Sequence, residues 1–258
     1  MKYLSFRFEN HTGFGVVDGE EVAVLGGLPG TRWPSLRDML GDRDAKVGSA
    51  LGAARRIALE GLALEPVIPD PGIIFCVGLN YAPHIKEMGR ELPTYPSIFS
   101  RTARSQIGHG QPIVVPHVSS DLDYEGELVF VIGKGGRYIA EADALAHVAG
   151  YACYNDASIR DFQKHATQFT AGKNFWATGP FGPWMVTPDE FGDIGSRSVT
   201  TRLNGKVMQN APFTDLVFSV PHLIAYISSF TELKAGDVIA TGTPGGVGTA
   251  RKPPVYMK

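Results

Sequence analysis

Residues 121–133, DLDYEGELVFVIG, place alternating carboxylates directly before an unbroken apolar run. β-Branched and aromatic residues crowd this run and a glycine follows it, which favours a strand. Side chains on a strand alternate between its faces, so Asp123, Glu125 and Glu127 should point the same way. Carboxylates stacked in this manner repel and raise one another's pKa unless a positive charge lies between them. The segment therefore predicts a strand that holds a cation on its acidic face.

A second carboxylate source strengthens this interpretation. An edge strand that faces solvent would explain the Glu125 and Glu127 pair without any ion. However, Asp156 also lies at the end of a predicted strand, at residues 151–156. Oxygen ligands without histidine or cysteine suit Mg²⁺ or Mn²⁺, with Ca²⁺ as an alternative, rather than Zn²⁺. Three carboxylates would leave coordination positions for water and a chelating substrate, as a catalytic ion requires.

The segment NYAPHIKEMGRE, residues 80–91, predicts a short helix with a histidine and a glutamate on one face. Pro83 suits the first helical position and Gly89 suits the exit. His84 and Glu87 are then three residues apart, and a carboxylate beside a histidine fixes its tautomer and makes it a general base. A surface pair without catalytic role is the alternative. Glycines on both sides of the helix favour a mobile lid.

Further polar residues could contact an anionic substrate. Arg160, Gln163 and Lys173 could bind a carboxylate or carbonyl oxygen near the cation, although simple surface polarity would explain them equally well. Arg101 follows an apolar strand and is an additional basic candidate. The loop at residues 241–248, TGTPGGVG, could present backbone N–H groups to an anion. It lacks the Gly-Lys-Ser/Thr ending of a phosphate-binding loop, so a nucleotide site is not expected.

Charge and cysteine usage restrict the class of protein. The net charge is −2 and no basic run occurs, which gives no indication of a nucleic-acid surface. No uncharged apolar stretch is long enough to span a bilayer, and Arg7 and Glu9 interrupt the region where a signal peptide would be apolar. Cys76 and Cys153 are predicted to be buried free thiols. We expect a soluble cytoplasmic protein.

The chain divides at a proline-rich connector. Residues 1–67 contain short alternating strands and a helical stretch at 34–61, and predict a small N-terminal domain rich in β-structure. Residues 68–258 form the larger predicted domain. The 31 glycines and 18 prolines, scattered among short Val, Ile and Phe runs, predict an α+β protein that is mainly β.

Local patterns in the larger domain predict three further elements. Residues 141–150 and 220–230 have helical spacing, and Asn204-Gly205 predicts the two-residue turn of a hairpin.

Six motifs in this order resemble the fumarylacetoacetate hydrolase superfamily, in its bacterial branch of acylpyruvases and 2-hydroxyhepta-2,4-diene-1,7-dioate isomerases. The motifs are CVGLNYAPHIKEMG, LDYEGELVFVIGK, YNDASIRDFQ, GKNFWATGPFGPWMV, LNGKVMQ and GDVIATGTPGGVG. The resemblance runs from about residue 70 to the end. It implies a mixed β-sandwich roll, a homodimer and one divalent cation per subunit. Members usually continue through one more strand after residue 258, so we expect the C-terminal strand to be missing.

The resemblance also implies roles for individual residues. Glu125, Glu127 and Asp156 match the metal ligands, and His84 and Glu87 match the lid dyad. The substrate-contacting positions match Arg160, Gln163, Lys173, Gly242 and Thr243. Arg101 stands where lysine is frequent, and its guanidinium favours bidentate carboxylate binding. Asp123 is expected behind the ligands or on the surface, and Trp176, which departs from the pattern, in a pocket wall or a subunit contact.

The predicted function is metal-dependent hydrolysis of a C–C bond in a 1,3-dicarbonyl or acylpyruvate-type 2-oxo acid, in aromatic or sugar-acid breakdown. His84, oriented by Glu87, would activate water, and the metal and Lys173 would stabilise the leaving enolate. An isomerase or decarboxylase acting on a 2-oxo or 2-hydroxymuconate-type diacid is the alternative. A non-catalytic β-domain with a structural ion is a third hypothesis.

Overall fold

The computed structural model describes residues 1–258, and its largest element is an eleven-stranded mixed sheet. The strands are β1 (Lys2–Phe8), β2 (His11–Asp18), β3 (Glu21–Gly26), β4 (Arg56–Ala58), β5 (Ala63–Glu65), β6 (Ile74–Gly78), β7 (Ser97–Arg101), β8 (Gln106–Ile107), β9 (Leu122–Asp123), β10 (Gly126–Ile132), β11 (Val148–Asn155), β12 (Ser158–Ile159), β13 (Gly179–Pro180), β14 (Met185–Val186), β15 (Ser198–Leu203), β16 (Lys206–Pro212) and β17 (Val238–Ala240). The α-helices are α1 (Leu36–Gly41), α2 (Val47–Ala53), α3 (Ala82–Glu87), α4 (Arg160–Gln163), α5 (Thr170–Lys173), α6 (Pro188–Phe191) and α7 (Val220–Phe230). The 3₁₀ helices cover Ala103–Ser105, Glu141–His147, Ile194–Ser196, Phe213–Asp215 and Gly248–Ala250. The predicted class, α+β and mainly β, is confirmed.

The large sheet runs in the order β4-β3-β2-β1-β14-β11-β10-β17-β6-β7, with β5 beside β1. Strands β17 and β6 pair in parallel, while β10 pairs antiparallel with both β11 and β17. Strand β1 pairs with β14, so the N-terminal strands continue the same sheet. The division of the chain at residue 67 stays a prediction.

Strand β10 lies at the centre of the molecule. Val129 and Val131 belong to a core of 19 buried residues, whereas Leu128, Phe130 and Ile132 belong to another core of 17. Because both faces of the strand are buried, its sequence is a continuous apolar run rather than an alternating one. The site residues that precede this run are therefore attached to a strand that is buried along its whole length.

The acidic segment differs from the predicted single strand. It forms β9 and β10, with a break at Tyr124 and Glu125. Strand β9 pairs with β12, while β10 pairs with β11. At the break, the amide of Glu125 donates to Asn155 Oδ1 at 2.9 Å, a bond that a regular ladder would not make. This side-chain bond replaces a ladder bond and allows the chain to change direction.

Other local predictions were correct in part. The Asn204-Gly205 hairpin joins β15 to β16, with φ values of 50° and 78° as a two-residue primed turn requires. The predicted helix at 34–61 was wrong beyond residue 53, because Arg56–Ala58 pairs with β3. The 141–150 stretch forms a 3₁₀ helix over Glu141–His147 and then continues as a strand. Cys76 is buried as predicted, but Cys153 is exposed.

No helix in the structure is long and apolar enough to span a bilayer.

Candidate active site

Three carboxylates meet where β10 and β11 pair. Strand pairing sets Gly126 opposite Asn155, so the residues that flank Gly126 lie beside Asp156, and the amide of Asp156 donates to Glu125 O at 2.9 Å. One oxygen each from Glu125, Glu127 and Asp156 lies within 4.8 Å of the other two. The structure thus brings together the predicted ligand set: Glu127 lies on β10, and Glu125 and Asp156 lie just outside the paired ends of β10 and β11.

Lys173, at the end of α5, supplies positive charge between two of these carboxylates. Its Nζ lies 2.6 Å from Glu125 Oε2 and 2.6 Å from Asp156 Oδ2. Burial opposes the charged form, but Asp156 and Glu125 outweigh it and raise the pKa of Lys173 above its ordinary value. Burial also favours protonated Glu125, yet Lys173 and Arg160 lower the pKa of Glu125 to about 2. Both groups are therefore charged at neutral pH.

Glu127 forms no ion pair and differs from Glu125 in this respect. Burial, together with the charges of Asp156 and Glu125, raises the pKa of Glu127 well above its ordinary value. Counting Glu127 itself, the buried side chains at the site comprise four carboxylates (Asp123, Glu125, Glu127 and Asp156) and three cations (Arg101, Arg160 and Lys173). When Glu127 is ionised, one negative charge has no positive partner inside the protein. A divalent cation would supply the missing positive charge. The all-oxygen donor set and this charge deficit fit Mg²⁺, Mn²⁺ or Ca²⁺.

The predicted His–Glu dyad lies on α3. His84 is 6% exposed, and its Nδ1 lies 2.8 Å from Glu87 Oε1. The Glu87 carboxylate also accepts from the amide of Gly246, at 3.1 Å to Oε1 and 3.0 Å to Oε2. Burial opposes ionisation of Glu87, but the bonds from His84 and Gly246 outweigh it and lower its pKa. Glu87 is therefore a carboxylate at neutral pH and orients the imidazole.

The glycine-rich loop does present N–H groups to anions, and these anions are the protein's own side chains. The amide of Gly242 donates to Glu127 Oε2 at 2.9 Å, and the amide of Gly246 donates to Glu87 as described. Gly242 has φ +97°, and a Cβ there would lie 2.8 Å from Val77 O. Only glycine fits this conformation and this space. Gly242 therefore acts through Glu127 and does not line the cavity described below.

Asp123 is completely buried and takes part in the same arrangement. Its carboxylate accepts from the amides of Gly248 and Thr249 at 2.7 and 2.8 Å, and from Arg160 Nε at 2.8 Å. Asp123 thus points to Arg160 and the loop rather than to the three predicted ligands. Of the two expected positions, behind the ligands or on the surface, the structure has the first.

A cavity of about 710 Å³ opens onto these groups. The three carboxylates, His84, Arg160, Gln163, Lys173 and Thr243 line it, and Val77, Leu79, Phe99 and Phe169 supply apolar wall. Arg160 Nη1 contacts Glu125 Oε1 at 2.6 Å, while Arg160 Nη2 is buried without a hydrogen-bond partner.

Besides Gly242, two residues that were predicted to contact substrate or a pocket wall lie outside the cavity. Arg101 does not line the cavity, because its guanidinium is buried behind Asp156 and donates to Asp156 Oδ1 at 2.7 Å and to Thr178 Oγ1 at 2.8 Å. Its bonding capacity toward carboxylates is used inside the protein, so the structure gives no support to the predicted substrate contact. Trp176 does not line the cavity either, and is 71% exposed.

Comparison with known families agrees with this geometry. Residues 73–258 match the family model described as "Fumarylacetoacetate (FAA) hydrolase C-terminal". The chain belongs to the fumarylacetoacetate hydrolase family. Enzymes of this family act on small-molecule substrates, with hydrolase, isomerase and tautomerase activities among the relatives.

Curated members of the fumarylacetoacetate hydrolase family include several oxaloacetate tautomerases. The Bacillus subtilis oxaloacetate tautomerase YisK is 43% identical over 206 residues, which cover 78% of this chain and 68% of that protein. The human mitochondrial oxaloacetate tautomerase FAHD2A is 36% identical over 272 residues, covering 100% of this chain and 85% of that protein. The Xenopus laevis mitochondrial oxaloacetate tautomerase is 42% identical over 213 residues, and the match spans 67% of its length.

Solved structures of family members share the fold. The fumarylacetoacetate hydrolase from Exiguobacterium antarcticum has a TM-score of 0.84 and 35% identity, covering 100% of this chain and 92% of that one. Maleylpyruvate hydrolase from Sphingobium sp. SYK-6, in complex with manganese(II) and pyruvate, has a TM-score of 0.78 and 30% identity, covering 99% and 91%.

Sequence reasoning did not find the specific donors of the loop. The glycine spacing indicated free amides, but it could not say that Gly246, Gly248 and Thr249 would meet Glu87 and Asp123. Backbone donors have no side-chain signature, so only a fold can show their acceptors.

Proposed function

We propose that this protein is a divalent-metal-dependent tautomerase, which interconverts the keto and enol forms of a 2-oxo dicarboxylic acid of the oxaloacetate type. Relatives from B. subtilis, human and frog bear this activity in their names, which supports the substrate class. Tautomerisation uses the proton-transfer half of the predicted hydrolase mechanism and needs no water.

The observation that carries the proposal is one cavity with two functional parts in its wall. One part is the all-carboxylate cation site, and the other is a histidine fixed by a carboxylate. Proton transfer at a carbon beside a carbonyl requires a base within reach and positive charge near the carbonyl oxygen. No additional nucleophile is needed.

His84 is the base in this mechanism. Its Nδ1 is engaged by Glu87, which assigns the proton to Nδ1 and leaves Nε2 to accept a proton from the substrate. Nε2 takes the proton from the carbon beside the oxo group and delivers it to the oxo oxygen, which gives the enol. The reverse path returns the keto form, so protons balance without a co-reactant.

Arg160 and Lys173 bind and orient the diacid. Arg160 lines the cavity and has a buried Nη2 donor without a partner, which suits a substrate carboxylate. Lys173 adds positive charge beside Glu125 and Asp156. A divalent cation held by Glu125, Glu127 and Asp156 supplies Lewis acidity toward the 2-oxo carboxylate when it is bound.

The test is the rate at which enol and keto oxaloacetate interconvert, followed by ultraviolet absorbance of the enol and by NMR. We expect catalysis with Mg²⁺ or Mn²⁺, its loss after EDTA treatment and its return on metal addition. A rate equal to that of buffer with metal alone would remove the tautomerase assignment. A structural ion, by contrast, would change the melting temperature with no turnover to restore.

Hydrolysis of an acylpyruvate-type C–C bond is the second candidate. The structural similarity to a maleylpyruvate hydrolase with manganese(II) and pyruvate favours it, as does the His84–Glu87 pair, which would activate water equally well. NMR of an acylpyruvate panel separates the candidates, because hydrolysis gives pyruvate and a second acid while tautomerisation gives only the enol. NMR of the oxaloacetate reaction detects decarboxylation as the formation of pyruvate.

A further inference from the structure

Gln209, on β16, is a buried amide that makes three hydrogen bonds next to the cation site. Its Oε1 accepts from the amide of Gly126 at 3.0 Å. Its Nε2 donates to Thr243 Oγ1 at 2.7 Å and to Pro244 O at 2.9 Å. The side chain is part of a residue that is 1% exposed, and it does not line the substrate cavity. It therefore cannot contact substrate, and any effect on the reaction passes through its partners.

On the acidic segment, Gln209 contacts Gly126, the residue between two predicted metal ligands. Gly126 separates Glu125 from Glu127, and Gln209 holds its N–H while Thr243 Oγ1 donates to its carbonyl at 3.0 Å. Both polar groups of this residue are thereby fixed by side chains from other elements. Because Gly126 links the two residues directly, a shift of Gly126 would move both carboxylates at once.

On the glycine-rich loop, Gln209 contacts the residues next to the one that hydrogen-bonds Glu127. Thr243 and Pro244 directly follow Gly242, whose amide donates to Glu127 Oε2. One amide side chain thus links the acidic strand, through Gly126, to the loop that orients one of its carboxylates.

The hairpin formed by β15 and β16 packs tightly against both segments that Gln209 connects. A Cβ on Gly126 would lie 1.9 Å from Thr201 Oγ1 of β15, and a Cβ on Gly246 would lie 2.2 Å from Met208 O of β16. Arg251 Nη2 donates to Met208 O at 2.7 Å and to Gly246 O at 3.1 Å. The hairpin therefore sits directly on backbone, against both the acidic segment and the loop.

We propose that Gln209 is a positioning residue for the divalent cation: it sets the distance between Glu125 and Glu127 through Gly126 and fixes Glu127 through the loop. This inference rests on the cation-binding part of the proposed function. Residues that hydrogen-bond the surroundings of metal ligands orient them, and their loss costs about 10–100-fold in affinity or activity. A side chain that only satisfied a buried amide would affect folding but leave metal affinity unchanged once the protein is folded.

The test is the affinity of substrate-free protein for Mn²⁺, with free Mn²⁺ measured by electron paramagnetic resonance. Gln209→Met keeps the length of the side chain and removes all three bonds, so we expect affinity to fall about 10–100-fold. Asn210→Ala is the matched control, because Asn210 is the next residue on β16 and is exposed with its side chain on Thr200. Its Mn²⁺ affinity should equal that of the wild type.

Gln209→Asn keeps a polar amide but shortens the side chain by one methylene group. This variant is used in place of Gln209→Met if Gln209→Met does not fold. A folded Gln209 variant, with wild-type circular dichroism and Mn²⁺ affinity within twofold of the wild type, overturns the inference. Wild-type protein that binds Mn²⁺ but does not tautomerise oxaloacetate removes the proposed reaction and leaves the role of Gln209 standing. Wild-type protein that binds no Mn²⁺ removes both.

Discussion

The acidic wall, formed by Glu125, Glu127, Asp156 and Lys173, and the lid helix α3 are held in different ways. The wall is buried, lies where two paired strands meet and contains direct ion pairs of 2.6 Å. Helix α3 has only six residues, and its functional carboxylate is partly exposed and contacts the loop through the amide of Gly246. The wall holds fixed charge between paired strands, whereas α3, the predicted lid, is short and its carboxylate contacts the loop through one backbone amide. Binding and proton transfer should therefore be separable.

The largest effect is expected from Asp156→Asn in the wall. The substitution removes a predicted ligand and leaves Arg101 and Lys173 without their shared anion. Breaking a buried ion pair costs about 3–5 kcal/mol, so both metal binding and stability should fall sharply. Metal titration and urea unfolding measure the two losses. Asp143→Asn, at an exposed carboxylate, is the control and should change neither.

His84→Ala in the lid should separate the two regions. We expect metal affinity close to that of the wild type and a loss of turnover of about 10²–10⁴-fold, the usual contribution of a general base. His222→Ala is the matched control, since His222 forms an exposed pair with Glu141 at 3.3 Å. Full turnover in His84→Ala would exclude His84 as the base and assign the proton transfer to another group.

Glu87→Gln, also on α3, should reduce turnover less than His84→Ala does. The amide keeps an acceptor for Gly246 but loses the negative charge beside His84. Because the amide fixes the imidazole less firmly than the carboxylate does, we expect turnover to fall about tenfold, less than on loss of the base itself. Metal affinity should stay constant, measured by the same titration. If Glu87→Gln instead has a weaker metal affinity but a wild-type rate at saturating metal, Glu87 contributes to metal binding rather than to proton transfer.

The smallest effect is a proton released when the metal binds. The raised pKa of Glu127 means that the metal-free fold holds a proton there above the ordinary pKa of a glutamate, so metal affinity should rise with pH. Glu125, with a pKa of about 2, releases none near neutrality. Calorimetry in two buffers of different ionisation enthalpy counts the proton. Glu127→Gln should abolish the release, and an unchanged count would assign it to another group.

The linkage also fixes the sign of stability against pH for the metal-free protein. Glu125 has a lowered folded pKa, so its contribution is present above its ordinary value and is lost as the pH falls toward 2. Glu127 acts in the opposite sense, because its raised pKa removes stability as the pH rises above the ordinary glutamate range.

The wall was more predictable from sequence than its surroundings. Glu125, Glu127 and Asp156 follow from side-chain chemistry at the ends of apolar segments, and the His84–Glu87 pair from helical spacing. Arg101 was misplaced because the pairing of β6 with β7 and the burial of Asp156 decide where its guanidinium goes. The strand at Arg56–Ala58 was missed since only pairing with β3 overrides its helical composition.

The glycine-rich loop has a consequence for how the family can change. The donors that the loop itself supplies to Glu127, Glu87 and Asp123 are peptide nitrogens, which every residue except proline carries, but Gly242, Gly246 and Gly248 leave no room for a side chain. Proline alone deletes such a donor, and an added methyl at Gly248 would meet Val255 O at 1.8 Å. Substitutions that change the fit of a substrate without disturbing these donors are therefore expected in the apolar lining around Leu79 and Phe169.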